Sequence, residues 1–341
     1  MLNTFRKLLN KYPRSFAVFF GIILCIIFLF VMELSFYFLN KTSPDIKTIG
    51  PKPYYRIDKF GVYSALPGEQ RFTKVNNKSN EVIWEAIYSI DEFGKRKTPV
   101  DNAEGRDKFL LFFGGSFTFG EGLGNNQTLP YEVGQRSQKY MPYNFGEIGA
   151  GPFDVLAKIE SIDFKKQIKE KTGIMIYVLP IDVHVDRVVG SIDVSRWNDR
   201  FAYYRKDKSG SLTRSGTFYE NRPFLTRLIL KSQVLKYFNV KHIFPIREND
   251  IKFTASVINT FFKIFKDKYS DAKVCLLIYP RGKYKNLLLK YINKDSIIIL
   301  DYFELFDPSD PKFRISEYDK HPTYLANKIL AESIVKDLDL E

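Results

Sequence analysis

The sequence predicts an α/β domain of three layers with a mainly parallel sheet, preceded by a membrane-spanning helix and a small accessory β region. Three observations carry that expectation. Continuous apolar runs at 109–113 (FLLFF), 174–181 (IMIYVLPI), 274–280 (VCLLIYP) and 296–303 (SIIILDYF) read as strands buried on both faces. Helical patterns alternate with them, at 153–170, 251–269, 283–292 and from Pro322 to about Leu338. An uncharged run near the N-terminus is long enough to cross a bilayer.

Taken in order, residues 1–14 form a basic tail and 15–39 an anchor. The segment 16–32 (FAVFFGIILCIIFLFVM) carries no charge, is apolar on every face, and is followed by no small-residue cleavage pattern. Arg6, Lys7, Lys11 and Arg14 precede it, whereas Lys41, Lys47 and Lys52 follow more sparsely. The positive-inside bias therefore puts the tail in the cytoplasm and the remainder on the extracytoplasmic side. Residues 40–55, with Pro44, Pro51 and Pro53, read as a linker. The stretch 56–107 alternates in short segments such as EVIWEAIYSI (81–90) and reads as the accessory β layer. The α/β domain follows over 108–341. Within it, residues 185–245 break the alternation and read as an insertion over one sheet edge.

The 341 residues are 45% hydrophobic and 16% aromatic, enough for a sizeable core, and the formal charge is +13. That charge is spread along the chain, and no zinc spacing, RNA-recognition aromatic motif or basic heptad helix accompanies it. Nucleic-acid binding is thereby disfavoured; the charge fits solubility or proximity to acidic polymers and membranes, and fits a generally lysine-rich composition equally well. Cys25 lies in the anchor and Cys275 in a buried strand, so no disulfide is expected.

The chemistry-bearing candidates lie where parallel strands end. After FLLFF the chain turns through Gly114 and Gly115 and presents Ser116, either in a plain tight turn or as a nucleophile at the carboxyl edge of the sheet. Three histidines are present. His242 reads as a surface or structural residue. His184 follows the strand 174–181, with Arg187 close behind. His321 stands directly before the last helix with Asp319 two residues upstream. That acid either caps and charges the loop or fixes the tautomer of a catalytic ring. In END (248–250), Asn249 or Asp250 reads as a helix cap.

Together these blocks resemble the SGNH, or GDSL-type, serine hydrolases, over roughly residue 89 to the C-terminus. GGSFTFGEGL (114–123) is similar to the family's first block, with Ser116 at the nucleophile position. YNFGEIGAGP (143–152) is similar to the second, with Gly149 as an oxyanion amide. YDKHPTYLANKILAE (318–332) is similar to the last, carrying Asp319 and His321. YSIDEFGKRKTP (88–99) looks like a segment preceding the first block in exported members. The resemblance implies a flavodoxin-like sheet, Ser-His-Asp chemistry on esters, often acyl groups on carbohydrates, and no metal or other cofactor. Three departures stand out. Gly115 replaces the family's aspartate, Tyr318 holds the position three before the histidine, and YVLPIDVHVDR (177–187) lacks the third-block asparagine. His184 is the nearest replacement oxyanion donor beside the amides of Ser116 and Gly149. The expected substrate is an acylated glycan or another envelope ester, with the stretch 197–205 (WNDRFAYYR) available for sugar contact or ordinary packing. The alternative is a catalytically silent domain that binds glycan or scaffolds envelope polysaccharide assembly.

Overall fold

A computed structural model describes residues 11–41, 45–57, 62–101, 103–192, 194 and 201–341. Helix α1 (Pro13–Asn40) opens with proline in its first turn and has no buried residue. Its 28 residues extend about 42 Å, more than a bilayer's hydrocarbon core requires.

The accessory layer is two small antiparallel sheets. Strands β1 (Ile46–Ile49), β4 (Gly68–Asn76) and β5 (Glu81–Ile90) pair in the order β1-β4-β5, and β2 (Tyr55–Ile57) pairs with β3 (Tyr63–Ala65). The expected linker over 40–55 is therefore corrected. Ile46–Ile49 is an edge strand whose backbone pairs with β4, a partnership that prolines on either side disguise. Phe72, Trp84, Ala86, Tyr88 and Ile90 bury one face of this layer against Phe119, just past the candidate serine.

The central sheet holds β6 (Lys108–Phe113), β7 (Tyr140–Asn144), β8 (Thr172–Leu179), β11 (Lys273–Ile278) and β12 (Ile298–Asp301). All pairs are parallel and the order is β12-β11-β8-β6-β7. This is the flavodoxin-like order, whose reversal point lies between the first and third strands, here β6 and β8. Alternate residues serve two cores. Phe109, Leu111 and Phe113 face α4 (Pro152–Ser161) and α8 (Glu248–Lys268), whereas Leu110 and Phe112 face α3 (Leu129–Gln135) and α10 (Tyr324–Leu338). The short helices α2 (Ser116–Phe119), α5 (Ile181–Val189) and α9 (Lys285–Leu289) follow β6, β8 and β11.

Helix bounds differ from expectation. The helix expected over 283–292 is confined to Lys285–Leu289, and the one expected over 251–269 begins at Glu248. Two others differ for a clear local reason. The helix expected over 153–170 stops at Ser161, because Ile162 turns extended and Phe164 and Ile168 drop into the core. The last helix begins at Tyr324, not Pro322, since the Thr323 side chain accepts the amide of Ala326 and so caps the first turn. Asp250 caps α8 by accepting the Arg247 amide at 2.8 Å.

The stretch 185–245 contributes the hairpin β9 (Ala202–Lys206) and β10 (Leu212–Thr217) and the helices α6 (Phe224–Ile229) and α7 (Gln233–Tyr237). Helix α7 packs on the C-terminal part of α1. Glu33 of α1 accepts from the Ser232 hydroxyl at 2.5 Å and the Gln233 amide at 2.6 Å, and the Phe36 ring meets Tyr237 and Phe238.

Candidate active site

Strand β6 delivers its chain to the reversal point and leaves through two glycines that the local space demands. Gly114 has φ +154°, and a side chain there would run into the Thr118 hydroxyl. A Cβ on Gly115 would lie 2.9 Å from the Ala150 carbonyl oxygen and 3.1 Å from His184 Nε2. Ser116 then opens the single-turn helix α2, so its amide has no partner four residues back. Left-handed Gly120 closes that turn by donating to the Ser116 carbonyl at 2.8 Å.

The turn is held from below. Arg96 is 2% exposed and donates to the carbonyls of Phe119, Gly120 and Leu123 at 2.9, 2.6 and 2.5 Å. Its guanidinium also lies over the rings of Tyr88 and Phe119. Asn144, at the end of β7, donates to the Thr118 carbonyl at 3.1 Å. The Glu147 amide donates to the Gly114 carbonyl at 3.1 Å, which ties the loop bearing Gly149 to the loop bearing Ser116. Gly149 has φ +85°. Beneath it Glu147 and Lys158 form a buried ion pair at 2.7 Å, and burial pushes the Glu147 carboxyl up to about 7.

The loop before α10 brings His321 to the serine. His321 Nε2 lies 2.7 Å from Ser116 Oγ, and Nδ1 lies 2.5 Å from Asp319 Oδ1. The same carboxylate oxygen accepts the His321 amide at 3.1 Å. Asp319 thus reaches the ring from two residues upstream, while Tyr318 stands 36% exposed. The Phe117 ring meets the imidazole edge-on at 5.5 Å.

Three further residues at the site escape sequence reasoning. Lys74 Nζ and Trp84 Nε1 donate to Asp319 Oδ2 at 2.8 and 2.6 Å, so the accessory sheet supplies half of the carboxylate's hydrogen bonds. Glu121 Oε2 lies 3.3 Å from His321 Nε2, on the side where Ser116 sits. Glu121 belongs to GGSFTFGEGL and was visible there, whereas strand alternation gave no sign of Lys74 or Trp84. Burial opposes charge on Asp319, yet the hydrogen bond and charge of His321, joined by Lys74, hold its carboxyl well below the usual range. Burial likewise pushes the His321 ring down, but the Glu121 charge and the Asp319 hydrogen bond outweigh it and raise the ring above the ordinary histidine value.

His184 lies against the backbone of Gly115 and is 1% exposed. Its Nδ1 is 2.6 Å from the Tyr177 hydroxyl, and burial pushes the imidazole down to about 3, so the ring is neutral. His242 pairs with Asp186 at 2.8 Å. Of the stretch 197–205, residues 197–200 lie outside the described residues, and Phe201 and Tyr204 are buried, so those two rings pack the core and do not line a sugar site.

Among the described residues, Glu121, Asp319 and His321 form the one cluster able to hold a metal, with ligand atoms within 4.8 Å of one another. Both imidazole nitrogens already face hydrogen-bond partners, and the Lys74 ammonium occupies the cation position beside Asp319. A metal would have to displace that ammonium and part Ser116 from His321, so the donor set fits proton transfer better than coordination.

A scan against protein-family profiles returns no match, and a search of curated proteins returns none. Solved structures similar to the chain include a member of the lipolytic protein G-D-S-L family from Veillonella parvula, at 9% identity and a TM-score of 0.39, covering 67% of this chain and 97% of that one. A catalytic mutant of an acetylxylan esterase from Geobacillus stearothermophilus matches at 14% identity and a TM-score of 0.39, covering 70% and 97%. The lipase/acylhydrolase from Enterococcus faecalis matches at 11% identity and a TM-score of 0.38, covering 68% and 95%.

Proposed function

We propose that the chain is a membrane-tethered serine esterase or O-acyltransferase, with its α/β domain on the extracytoplasmic side. The observation that carries the reading is the unbroken hydrogen-bond chain from Ser116 through His321 to Asp319, at the carboxyl edge of a doubly wound sheet beside its reversal point. Asp319 keeps Nδ1 protonated, so Nε2 is free to act as the base. His321 takes the hydroxyl proton as Ser116 Oγ attacks the ester carbonyl, and returns it to the departing alcohol. The acyl group then rests on Ser116 until water, or a sugar hydroxyl, accepts it by the reverse sequence. The amides of Ser116 and Gly149 receive the oxyanion, with neutral His184 as the third-block replacement. An acylated carbohydrate or other ester of the cell envelope suits an anchored, exported site.

Labelling by a fluorophosphonate probe tests the nucleophile: it is expected in the wild type and lost in Ser116→Ala. Labelling that persists in that variant overturns the assignment. Turnover of a short-chain aryl ester is expected to fall about 10²- to 10⁴-fold in His321→Ala. A second reading, a silent domain that binds glycan or scaffolds polysaccharide assembly, draws on the departure at the end of β8, where Pro180 leads into α5 without an asparagine. Loss of one oxyanion donor costs about 10²- to 10³-fold. Wild-type turnover no greater than that of His321→Ala would favour this second reading.

A further inference from the structure

We infer that residues 222–247 form a second membrane contact, an interfacial element that lays the domain against an anionic lipid surface. The inference rests on the anchor reading of α1 and goes beyond it. Between Arg222 and Arg247 the chain carries six Lys or Arg residues and no Asp or Glu. The same stretch exposes large apolar side chains: Phe224 is 71% exposed, Phe238 62% and Phe244 73%, with Leu228, Tyr237 and Ile243 also outward. Water-facing phenylalanines among cations, in a stretch whose own sequence has no carboxylate, are the composition of a segment lying in the headgroup region. The acids that meet it come from neighbouring elements: Asp186 beside His242, and Glu33 at Ser232 and Gln233.

Depth follows from α1. The uncharged part of the 15–39 anchor ends at Met32, so Glu33 and the turn after it lie at the anchor's outer, interfacial end. Glu33 is the residue that receives the Ser232 hydroxyl and the Gln233 amide, and one turn later Phe36 packs on Tyr237 and Phe238. Asn40 closes the contact by donating to the Gln233 carbonyl at 2.9 Å. Helix α7 is therefore fixed at the level where acyl chains give way to headgroups. Aromatic rings are stabilised at that level, and each nearby cation gains from anionic lipid. The occupant is the lipid surface itself, because the contact continues the path of the spanning helix.

The test uses the full chain in vesicles of phosphatidylglycerol and phosphatidylcholine, in a Cys25→Ser background, since Cys275 is buried. Single variants Phe224→Cys, Phe244→Cys, Leu24→Cys and Ile298→Cys carry an environment-sensitive fluorophore, and lipids brominated on their acyl chains quench it. Leu24 reports the bilayer core, and Ile298, exposed on β12, gives the aqueous reference. Labels at 224 and 244 are expected to be quenched to a degree between the two. The triple variant Arg227→Gln/Lys231→Gln/Lys236→Gln is expected to shift the docked-to-undocked ratio by about a hundredfold toward undocked. Labels at 224 and 244 that match Ile298 while Leu24 is quenched overturn the inference and leave the anchor standing. An unquenched Leu24 label overturns the anchor reading instead. Quenching that ignores both the charge substitutions and removal of phosphatidylglycerol overturns the anionic-lipid assignment.

Discussion

The indole of Trp84 donates to the carboxylate of Asp319 at 2.6 Å, across 235 positions of chain. That bond makes the accessory sheet part of the candidate site, because β4 and β5 hold through Lys74 and Trp84 the acid that orients His321. Four donors meet one buried carboxylate, and such charge-assisted bonds shorten and stiffen what they hold.

Trp84→Phe keeps the ring and deletes the donor. The expected loss is about 1.5–3 kcal/mol of unfolding free energy, read as a lower denaturant midpoint, with a smaller fall in ester turnover because three donors to Asp319 remain. The pH dependence has a definite sign. Since the folded carboxyl is held down, its contribution to stability is present above the unfolded aspartate value of about 3.9 and is lost as pH falls through the lower folded value. Trp84→Phe should therefore weaken acid resistance. A midpoint unchanged both at neutral pH and at pH near 4 would show that the bond contributes nothing.

Glu121 and Ser116 share one nitrogen of His321, at 3.3 and 2.7 Å. The carboxylate favours the imidazolium, yet a general base must be neutral. The acid limb of kcat/KM is therefore expected above the ordinary histidine value of about 6.5. Glu121→Gln removes the charge, keeps the shape, and should move that limb to lower pH while the alkaline plateau changes little. A profile on an aryl ester in which the limb stays in place or moves upward would remove Glu121 from the proton's path.

How much of this was legible follows residue type and distance. Strands β6, β8 and β11 announce themselves because strands buried on both faces have no polar side to interrupt them, and β12 is read from its apolar run. Strand β7 (YMPYN), a half-buried edge strand broken by Pro142, gave no such signal, while the glycines around Ser116 mark a turn that space enforces. Asp319 and His321 share one short loop, so their meeting needs no long-range information. Lys74 and Trp84 lie on strands whose alternation says which face each occupies but not what that face covers. Strand β1 was hidden because pairing is a property of two segments, and only one of them is read at a time. The docking of α7 on α1 rests on Glu33, a charge that in sequence merely ended an apolar run.

Arg96 fills a position where the sequence suggested only a segment preceding the serine block. Its guanidinium donates to three carbonyls of the loop that follows Ser116, with two rings stacked around it. Arg96→Leu strands those carbonyls in a dry environment, at about 1–3 kcal/mol for each left unsatisfied. A loss of about 3 kcal/mol or more is expected, together with slower fluorophosphonate labelling as Ser116 loses its fixed position. Arg96→Lys should recover only part of it, because one ammonium cannot reproduce the planar fork. Full recovery by lysine would mean that charge alone matters there.

Two of the departures from the family's blocks occupy one space. His184 Nε2 would lie 3.1 Å from a Cβ at position 115, so the ring stands where an aspartate side chain would need room. Gly115→Asp therefore overpacks the turn and buries a carboxylate, with an expected loss of about 1–3 kcal/mol from packing alone. His184→Ala opens a cavity and leaves the Tyr177 hydroxyl without its partner, which also destabilises. In the double variant Gly115→Asp/His184→Ala the new side chain has space, although the Ala150 carbonyl still crowds it from the other side. The double-mutant cycle should show a favourable coupling of about 0.5–3 kcal/mol in unfolding free energy from denaturant titrations. Strict additivity would mean that the glycine and the histidine were accommodated separately, and that the aspartate is excluded by the Ala150 carbonyl alone.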